Sequence, residues 1–436
     1  MAGASDKARF YLEQHVPELQ EYARKQIFTR DEITAIAAKR SDFEHILNAR
    51  GSTPADYARY ATYEMNLDSL RKKRCKRLGI KGAKGYSGQR TVFYVLERAT
   101  RKFPGDLGLW MQYIRFCQRE KASKKLAKVM TGVLRLKPRE WGLWVVAAKW
   151  YAEEQGDMST ARSYMQRGLR FCKDQRELWV EYCKLEMVYL AKLAARRKIL
   201  GLDEEVREEG VEVAEDENMI SLPVVTAANI DPDASKGVEE VNEETLKRLA
   251  NAPAFTGAIP TVIFDAAMQQ FNDSAEVAEI FFDLVASFNN VPSAARILQH
   301  IYIHLQTTAS NSAEVVICEA RLHLLGIDAL SPDFPSALSK TLASVKAGLA
   351  SLPEKARPVL AEKAVLLLLP YLEKREALDA DVEVVLVASL NRYLRQAAAP
   401  KAKSKLVKAL AVSAGADGRL TGAQMALLYD ESKSQA

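Results

Sequence analysis

Apolar side chains in the first half of the chain return at helical spacing, and the largest of them keep a longer beat. Trp110, Trp144 and Trp179 stand 34 and 35 residues apart. Each opens an apolar stretch: Trp110, Tyr113 and Phe116; Trp144, Ala147 and Trp150; Trp179, Tyr182 and Leu185. Aromatic residues at i and i+3 fall on one face of a helix, so each pair predicts a buried stripe. A second helix follows each stripe in the same phase. Pro104 and Pro138, 34 residues apart, end two of these second helices, because proline cannot continue the hydrogen-bond ladder. Two helices per unit predict helical hairpins that stack into a solenoid, since no single hairpin covers its own apolar face.

An atypical unit precedes these. Thr53, Pro54 and Asp56 mark a helix start, with a capping hydroxyl and proline in the first turn. Tyr57, Tyr60 and Glu64 then repeat the spacing of Trp179, Tyr182 and Glu186. Tyr57 lies 53 residues before Trp110, one repeat plus a 19-residue insertion, and solenoid insertions usually project from one face. Further upstream, Thr29 and Glu32 have the form of a capping box and Pro17 starts a shorter helix. The division predicted is a helical cap over residues 1–52 and repeats over 53–200, with the basic insertion near 71–88. Residues 201–260 break the pattern with an acidic run and then Pro223, Pro232, Pro253 and Pro260, which predicts an acidic, partly disordered linker. From residue 261 to 436 the beat weakens: Phe264 and Leu298 are 34 apart, Ala278 and Ala313 are 35 apart, and the aromatic marks are gone. A degenerate second helical array is expected there. The fold class is all-α.

Charge sharpens this division. The formal net charge of +6 hides 41 Lys/Arg against 22 Asp/Glu in residues 1–200, and 4 against 15 in residues 201–250. A basic half beside an acidic segment points to a polyanionic partner, although solvated helix faces rich in Lys and Arg produce the same count. The densest cations are Arg71, Lys72, Lys73, Arg74, Lys76 and Arg77, continuing to Lys81 and Lys84. These are the candidate RNA-binding residues, because such charges neutralise phosphates in any sequence. Gly82 and Gly85 add the form of a phosphate-clamping G-x-x-G turn. A nuclear-import signal and a plain solvated loop are the other two readings of this stretch. Tyr57, Tyr60, Glu64, Trp110, Tyr113, Trp144, Trp179, Tyr182 and Glu186 recur at repeat positions. That assigns them to the hairpin core rather than to base stacking or acid–base chemistry.

Enzyme chemistry has little support. No phosphate-binding G-x-x-x-x-G-K-[ST] loop, G-x-S-x-G elbow, H-E-x-x-H pair or kinase signature is present. His300 and His304 share a predicted helix face at ligand spacing, but neither Cys318 nor His323 completes a metal site. Five dispersed cysteines suit a reducing compartment. The first thirty residues lack a basic-then-apolar leader, and no apolar run is long enough to span a bilayer. The expectation is a soluble intracellular protein with no catalytic residues, no cofactor, no metal, no small-molecule substrate and no membrane contact.

An aromatic at position one, Tyr at four and Glu at eight, then a second helix with an arginine (Arg98, Arg167) and a closing proline, resembles the half-a-TPR (HAT) repeat. The match is good in the units starting at Tyr57 and Trp179. It is partial at Trp110, where Cys117 replaces the glutamate, and poorer at Trp144, where Ala147 and Tyr151 replace Tyr and Glu. The N-terminal run is more specific. Pro17, Leu19, Ile27, Phe28, Thr29, Glu32, Lys39, Arg40, Asp42, Phe43 and Glu44, followed by Tyr60, Tyr63, Glu64, Leu67, Leu70, Arg71 and Arg74, closely resemble the U-three-snoRNA-associated protein six family. The resemblance is strong over residues 5–200 and weaker afterwards. It implies a non-catalytic HAT-repeat scaffold of the UTP-B subcomplex in the small-subunit processome, nucleolar and needed for pre-18S rRNA processing. Its implied partners are β-propeller subunits of that subcomplex, with snoRNA and the pre-rRNA leader. A HAT scaffold of mRNA 3′-end processing or splicing is the alternative within the class. A TPR-like cochaperone adaptor, which would need a carboxylate clamp of Lys and Arg, is the alternative outside it.

Overall fold

The computed structural model describes residues 4–80, 88–199, 257–372 and 379–396, and every regular element among them is an α-helix. Lys81, Lys84, the acidic segment as far as residue 256 and everything after residue 396 lie outside the described residues. The chain divides into two compact units, Met1–Ala147 and Ala148–Ala436.

Unit 1 holds α1 (Ala4–Glu13), α2 (Val16–Arg24), α3 (Arg30–Asn48), α4 (Pro54–Arg77), α5 (Gly88–Lys102), α6 (Leu107–Arg119), α7 (Ser123–Leu136) and the first half of α8 (Trp141–Glu153). Local chemistry sets the starts. Thr29 accepts the Glu32 N–H at 3.3 Å while Glu32 accepts the Thr29 N–H at 2.9 Å, a complete capping box for α3. Asp56 accepts the Thr53 N–H at 2.8 Å ahead of α4, and Asp106 accepts the Leu109 N–H at 2.8 Å ahead of α6. The long interval between Tyr57 and Trp110 has a simple origin. α4 is 24 residues long where α6 has 13, so most of the 19 extra residues extend a helix instead of forming a projecting loop. No helix breaker occurs before Gly79, and the cations Arg74, Lys76 and Arg77 in the last turn complement the negative end of the helix dipole.

The tryptophans fasten one hairpin to the next. The indole N–H of Trp110 donates to the carbonyl of Pro104 at 3.0 Å, and that of Trp144 to Pro138 at 2.9 Å. In the second unit, Trp179 makes the same bond to Lys173 at 3.0 Å. Each bond reaches six residues back across the link that follows a closing helix. Trp110 and Trp144 are buried and Trp179 is half-buried, so two of the indoles have little water to compete for that proton.

Unit 2 takes the rest of α8, then α9 (Met158–Phe171), α10 (Arg176–Ile199), α11 (Ala258–Gln270), α12 (Ala275–Ala286), α13 (Ala294–Thr308), α14 (Ala313–Leu324), α15 (Phe334–Ser351), α16 (Arg357–Leu372) and α17 (Ala380–Gln396). α10 packs against α11 and α12, and neighbouring helices pair onward to α17. Lys363 on α16 reaches Glu279 of α12 at 2.5 Å and Glu314 of α14 at 2.6 Å, joining three helices through one half-buried cation. α14 and α15 approach closely at Gly348, where an added Cβ would lie 2.5 Å and 2.8 Å from the two methyls of Val316. A β-branched neighbour has few rotamers with which to yield. Gly348→Ala is therefore expected to destabilise unit 2 by about 1–3 kcal/mol through overpacking, although alanine is the better helix former. The shift of the urea midpoint checks this, and an unchanged or raised midpoint would contradict the close approach.

Candidate nucleic-acid and partner-binding surface

Buried ion pairs hold unit 1 together behind its surface. Arg40 of α3 is 1% exposed. Its guanidinium forks onto Glu64 of α4, with Nε 2.8 Å from Oε1 and Nη2 2.9 Å from Oε2, while Nη1 lies 3.4 Å from Glu18 of α2. Glu18 also accepts the Tyr22 hydroxyl and sits beside His15. Burial acts to raise the Glu18 pKa, but the bond from His15, the Arg40 charge and the Tyr22 hydroxyl together hold it below its ordinary value. Glu44, equally buried, takes both contacts of Arg98 at 2.9 and 3.0 Å, and that guanidinium lies 4.0 Å from the centre of the Tyr11 ring. Three helices thus meet on Arg40 and three on Arg98.

The fork recurs. In unit 2, Arg162 of α9 donates to Glu186 of α10 at 2.7 and 2.8 Å, and its sequence separation, 24 residues, equals that of Arg40 and Glu64. The same separation in the two intervening units pairs Phe93 with Cys117 and Ala127 with Tyr151. Where the acid of the repeat disappears, the arginine disappears with it, as expected if neither charge can be buried alone. Arg98 and Arg167, which the sequence sets in equivalent places, diverge: Arg98 pairs with Glu44 and Arg167 is exposed. The arginines that answer the repeat glutamates are Arg40 and Arg162.

The repeat-position residues fall as follows. Tyr57, Tyr60, Glu64, Trp110, Tyr113, Trp144, Tyr182 and Glu186 are buried, and Trp179 is half-buried. Phe43 stacks on Tyr60 with 5.0 Å between ring centres.

The basic run of α4 splits by helical phase. Arg71 is buried and forks onto Asp68 at 3.0 and 2.8 Å. Arg74 donates to Glu32 at 2.6 and 2.7 Å and to the Ile27 carbonyl at 3.2 Å, and lies over the Phe28 ring. Lys72 contacts Asp68 and Glu120, each at 3.0 Å. Lys73, Lys76 and Arg77 face solvent. Arg74 and Lys72 thus tie α4 to other segments, Arg71 is held by a pair within α4, and Lys73, Lys76 and Arg77 remain outside.

Glu32 joins a helix cap to an ion pair. The Arg74 hydrogen bond, with the Thr29 backbone N–H, brings its carboxyl from about 4.5 down to about 2. A depressed carboxyl contributes stability that is present above its unfolded-state pKa and lost as pH falls through the folded one. Between pH of about 4.5 and about 2, the wild type is expected to lose more stability than Glu32→Gln, measured by urea denaturation across that window. Parallel curves would show that Arg74 gains nothing from the charge.

Beside this pair lies an open groove of about 850 Å³, floored by Ile27, Phe28, Ile33, Leu70 and Leu78 and edged by Arg30, Arg74 and Arg77. A second, more apolar hollow of about 350 Å³ over Ile36, Tyr63 and Leu67 shares Phe28 and Leu70 with it. Leu70 and Leu78, in the last two turns and at the cap of this charged helix end, are 40% and 53% exposed, an unusual cost for large apolar side chains.

Elsewhere the reactive groups are occupied. All five cysteines are buried, which pushes the Cys117 thiol up to about 11 and Cys183 to about 12. Such thiols are poor nucleophiles. His300 contacts Asp265 at 2.7 Å and His304 contacts Asp273 at 3.1 Å, both edge-on to Phe264. Among the described residues, no three His, Cys, Asp or Glu side chains gather as a metal site, and no helix is long and apolar enough to cross a membrane.

Comparison with known proteins adds a family. Residues 12–97 match the model of a family described as U3 small nucleolar RNA-associated protein 6. A Schizosaccharomyces pombe protein of that name is 40% identical over 199 residues, covering 45% of this chain and 41% of the relative. The human homolog is 32% identical over 190 residues, covering 43% and 32%. A Dictyostelium discoideum homolog is 26% identical over 303 residues, covering 67% and 49%. The chain thus spans about a third to a half of the length of the curated relatives it matches. The family segment contains the Glu18–Arg40–Glu64 cluster and all of the groove.

Proposed function

We propose that this chain, a member of the U3 small nucleolar RNA-associated protein 6 family, is a non-catalytic scaffold in ribosome biogenesis that works with small nucleolar RNA in rRNA processing. The observation that carries the reading is the coincidence of the matched segment, residues 12–97, with a buried ion-paired interior and a groove floored by apolar side chains on its outside. Internal pairing fixes the helices against one another, and the outer face is left for partners. In the finer reading the protein is nucleolar, sits in the UTP-B subcomplex of the small-subunit processome and serves pre-18S rRNA processing. β-propeller subunits are its protein partners, and the snoRNA and pre-rRNA leader are its RNA contacts. Lys73, Lys76 and Arg77, with Lys81 and Lys84 beyond them, are the α4 cations proposed to meet RNA. The division proposed is the cap over 1–52, repeats over 53–200, linker over 201–260 and second array over 261–436.

Affinity purification of the full chain from nucleolar extract tests this. Recovery of U3 snoRNA together with β-propeller proteins is expected. Recovery of neither overturns the proposal, and nucleoplasmic staining with mRNA-processing partners would replace it with the other HAT reading.

A further inference from the structure

We infer that the corner between α6 and α7, centred on Lys121, Lys124 and Lys125, binds the phosphate backbone of RNA. The inference rests on the reading that the chain works on RNA, and it places the contact on residues outside the α4 run.

Residues 115–128 carry six cations, Arg115, Arg119, Lys121, Lys124, Lys125 and Lys128, and one carboxylate, Glu120. All six cations are exposed. Glu120 is already taken. Lys72 of α4 lies 3.0 Å from it and Arg119 lies 3.5 Å from it, while the Gln89 side-chain amide of α5 donates to it. Among the described residues, Arg115, Lys121, Lys124 and Lys128 then make no ion pair. The charges share one place. Lys125 lies 4.2 Å over the Phe93 ring, Phe93 meets Phe116 edge-on at 4.8 Å, and Arg119 lies 5.1 Å over Phe116. Like charges gathered on one helix corner repel one another, and a polyanion relieves that repulsion while releasing its own counterions.

The absence of apolar anchors separates RNA from an acidic protein segment. Protein partners bind through buried aromatic or aliphatic anchors. The large exposed apolar side chains of unit 1, such as Leu70, Leu78 and Tyr94, lie outside residues 115–128. A phosphate backbone needs only charge. Nor does the corner expose an aromatic ring for base stacking, so binding without base preference is expected.

Lys121 offers a clean probe. Its backbone is left-handed, with φ +52°, and the Ala122 N–H reaches back to the Cys117 carbonyl at 2.9 Å. Glycine is the favoured residue at such a helix end. Lys121→Gly therefore removes a charge while relieving the backbone, and should leave the thermal midpoint unchanged or raised.

The test is fluorescence anisotropy of the full chain with a labelled RNA duplex of about 20 base pairs, titrated from about 50 to about 200 mM salt. The triple variant Lys121→Gly, Lys124→Gln, Lys125→Gln is expected to bind at least about tenfold more weakly and to lower the salt slope by about 3. Lys121→Gly alone should weaken binding about two- to threefold. The inference is overturned if the wild type does not bind the duplex, if the triple variant binds as tightly, or if polyglutamate of equal charge competes better than RNA. Recovery of U3 snoRNA from extract with duplex affinity unchanged in the triple variant would sink this site and keep the processome reading. Lysine-dependent duplex binding without U3 recovery would do the reverse.

Discussion

Arg40→Ala is expected to lower the stability of unit 1 by about 3–5 kcal/mol, the range found when one partner of a buried pair is removed. The loss follows from what stays behind. Glu64 is 1% exposed and Glu18 8%, and both would face a cavity with no cation. Each must then protonate or draw in water. Arg40→Lys should rescue little, because an ammonium is a point charge and cannot fork onto Glu64 while touching Glu18. The pH dependence gives a second signature. Without the arginine, burial at Glu18 is opposed only by His15 and Tyr22, and its folded-state pKa moves upward. That upward shift makes the loss larger where Glu18 is ionised than where it is protonated. The deficit should be greatest near neutrality and shrink in mild acid. Urea midpoints followed by far-UV circular dichroism across pH measure both effects. A deficit under about 1 kcal/mol, or one independent of pH, would mean that the cluster is ornamental to stability.

The second large effect concerns Arg162 and Glu186. Arg162→Ala strands a carboxylate whose side chain is 2% exposed, and a loss of about 3 kcal/mol is expected. Glu186→Ala should cost less, because the Arg162 side chain is 28% exposed and can turn its charge into water. An earlier repeat, the one that starts at Trp110, suggests the repair. Positions 93 and 117 carry Phe and Cys where 162 and 186 carry Arg and Glu. Arg162→Phe with Glu186→Cys is therefore expected to recover most of the loss, since well-packed apolar replacements of a buried pair are often neutral or better. A double-mutant cycle reads the coupling directly. If the double variant is no better than Arg162→Ala, the two repeats are not interchangeable at this position.

These two pairs show where sequence reading reaches and where it stops. The all-α class and the helical hairpins were legible because aromatic spacing reports directly which face is buried, and Tyr57, Trp110 and Trp144 lie where that spacing puts them. Arg40 was not legible as a buried residue. It stands in a polar run with Lys39, Ser41 and Asp42, and hydropathy cannot distinguish a paired cation from a solvated one. The clue was relational: the same 24-residue interval to a repeat glutamate in two units. The run from Arg71 to Arg77 failed in the opposite way. Read as one basic stretch, it concealed a helix that turns Arg71 and Arg74 inward and Lys73 and Lys76 outward. The α6–α7 corner is not legible as a basic run, because its six cations are spread over fourteen residues on either side of a turn.

The indole bonds of Trp110, Trp144 and Trp179 bear on how such a chain can change in length. Each closes a ring of fixed circumference, from a carbonyl to a tryptophan six positions later. A residue added or deleted inside that ring would pull donor and acceptor apart, so those links resist growth. No tryptophan stands between α4 and α5, and across that stretch the interval between repeat positions grows from 34 residues to 53. Natural size variants and engineered insertions alike should be accommodated within hairpins and rejected at the joints between them.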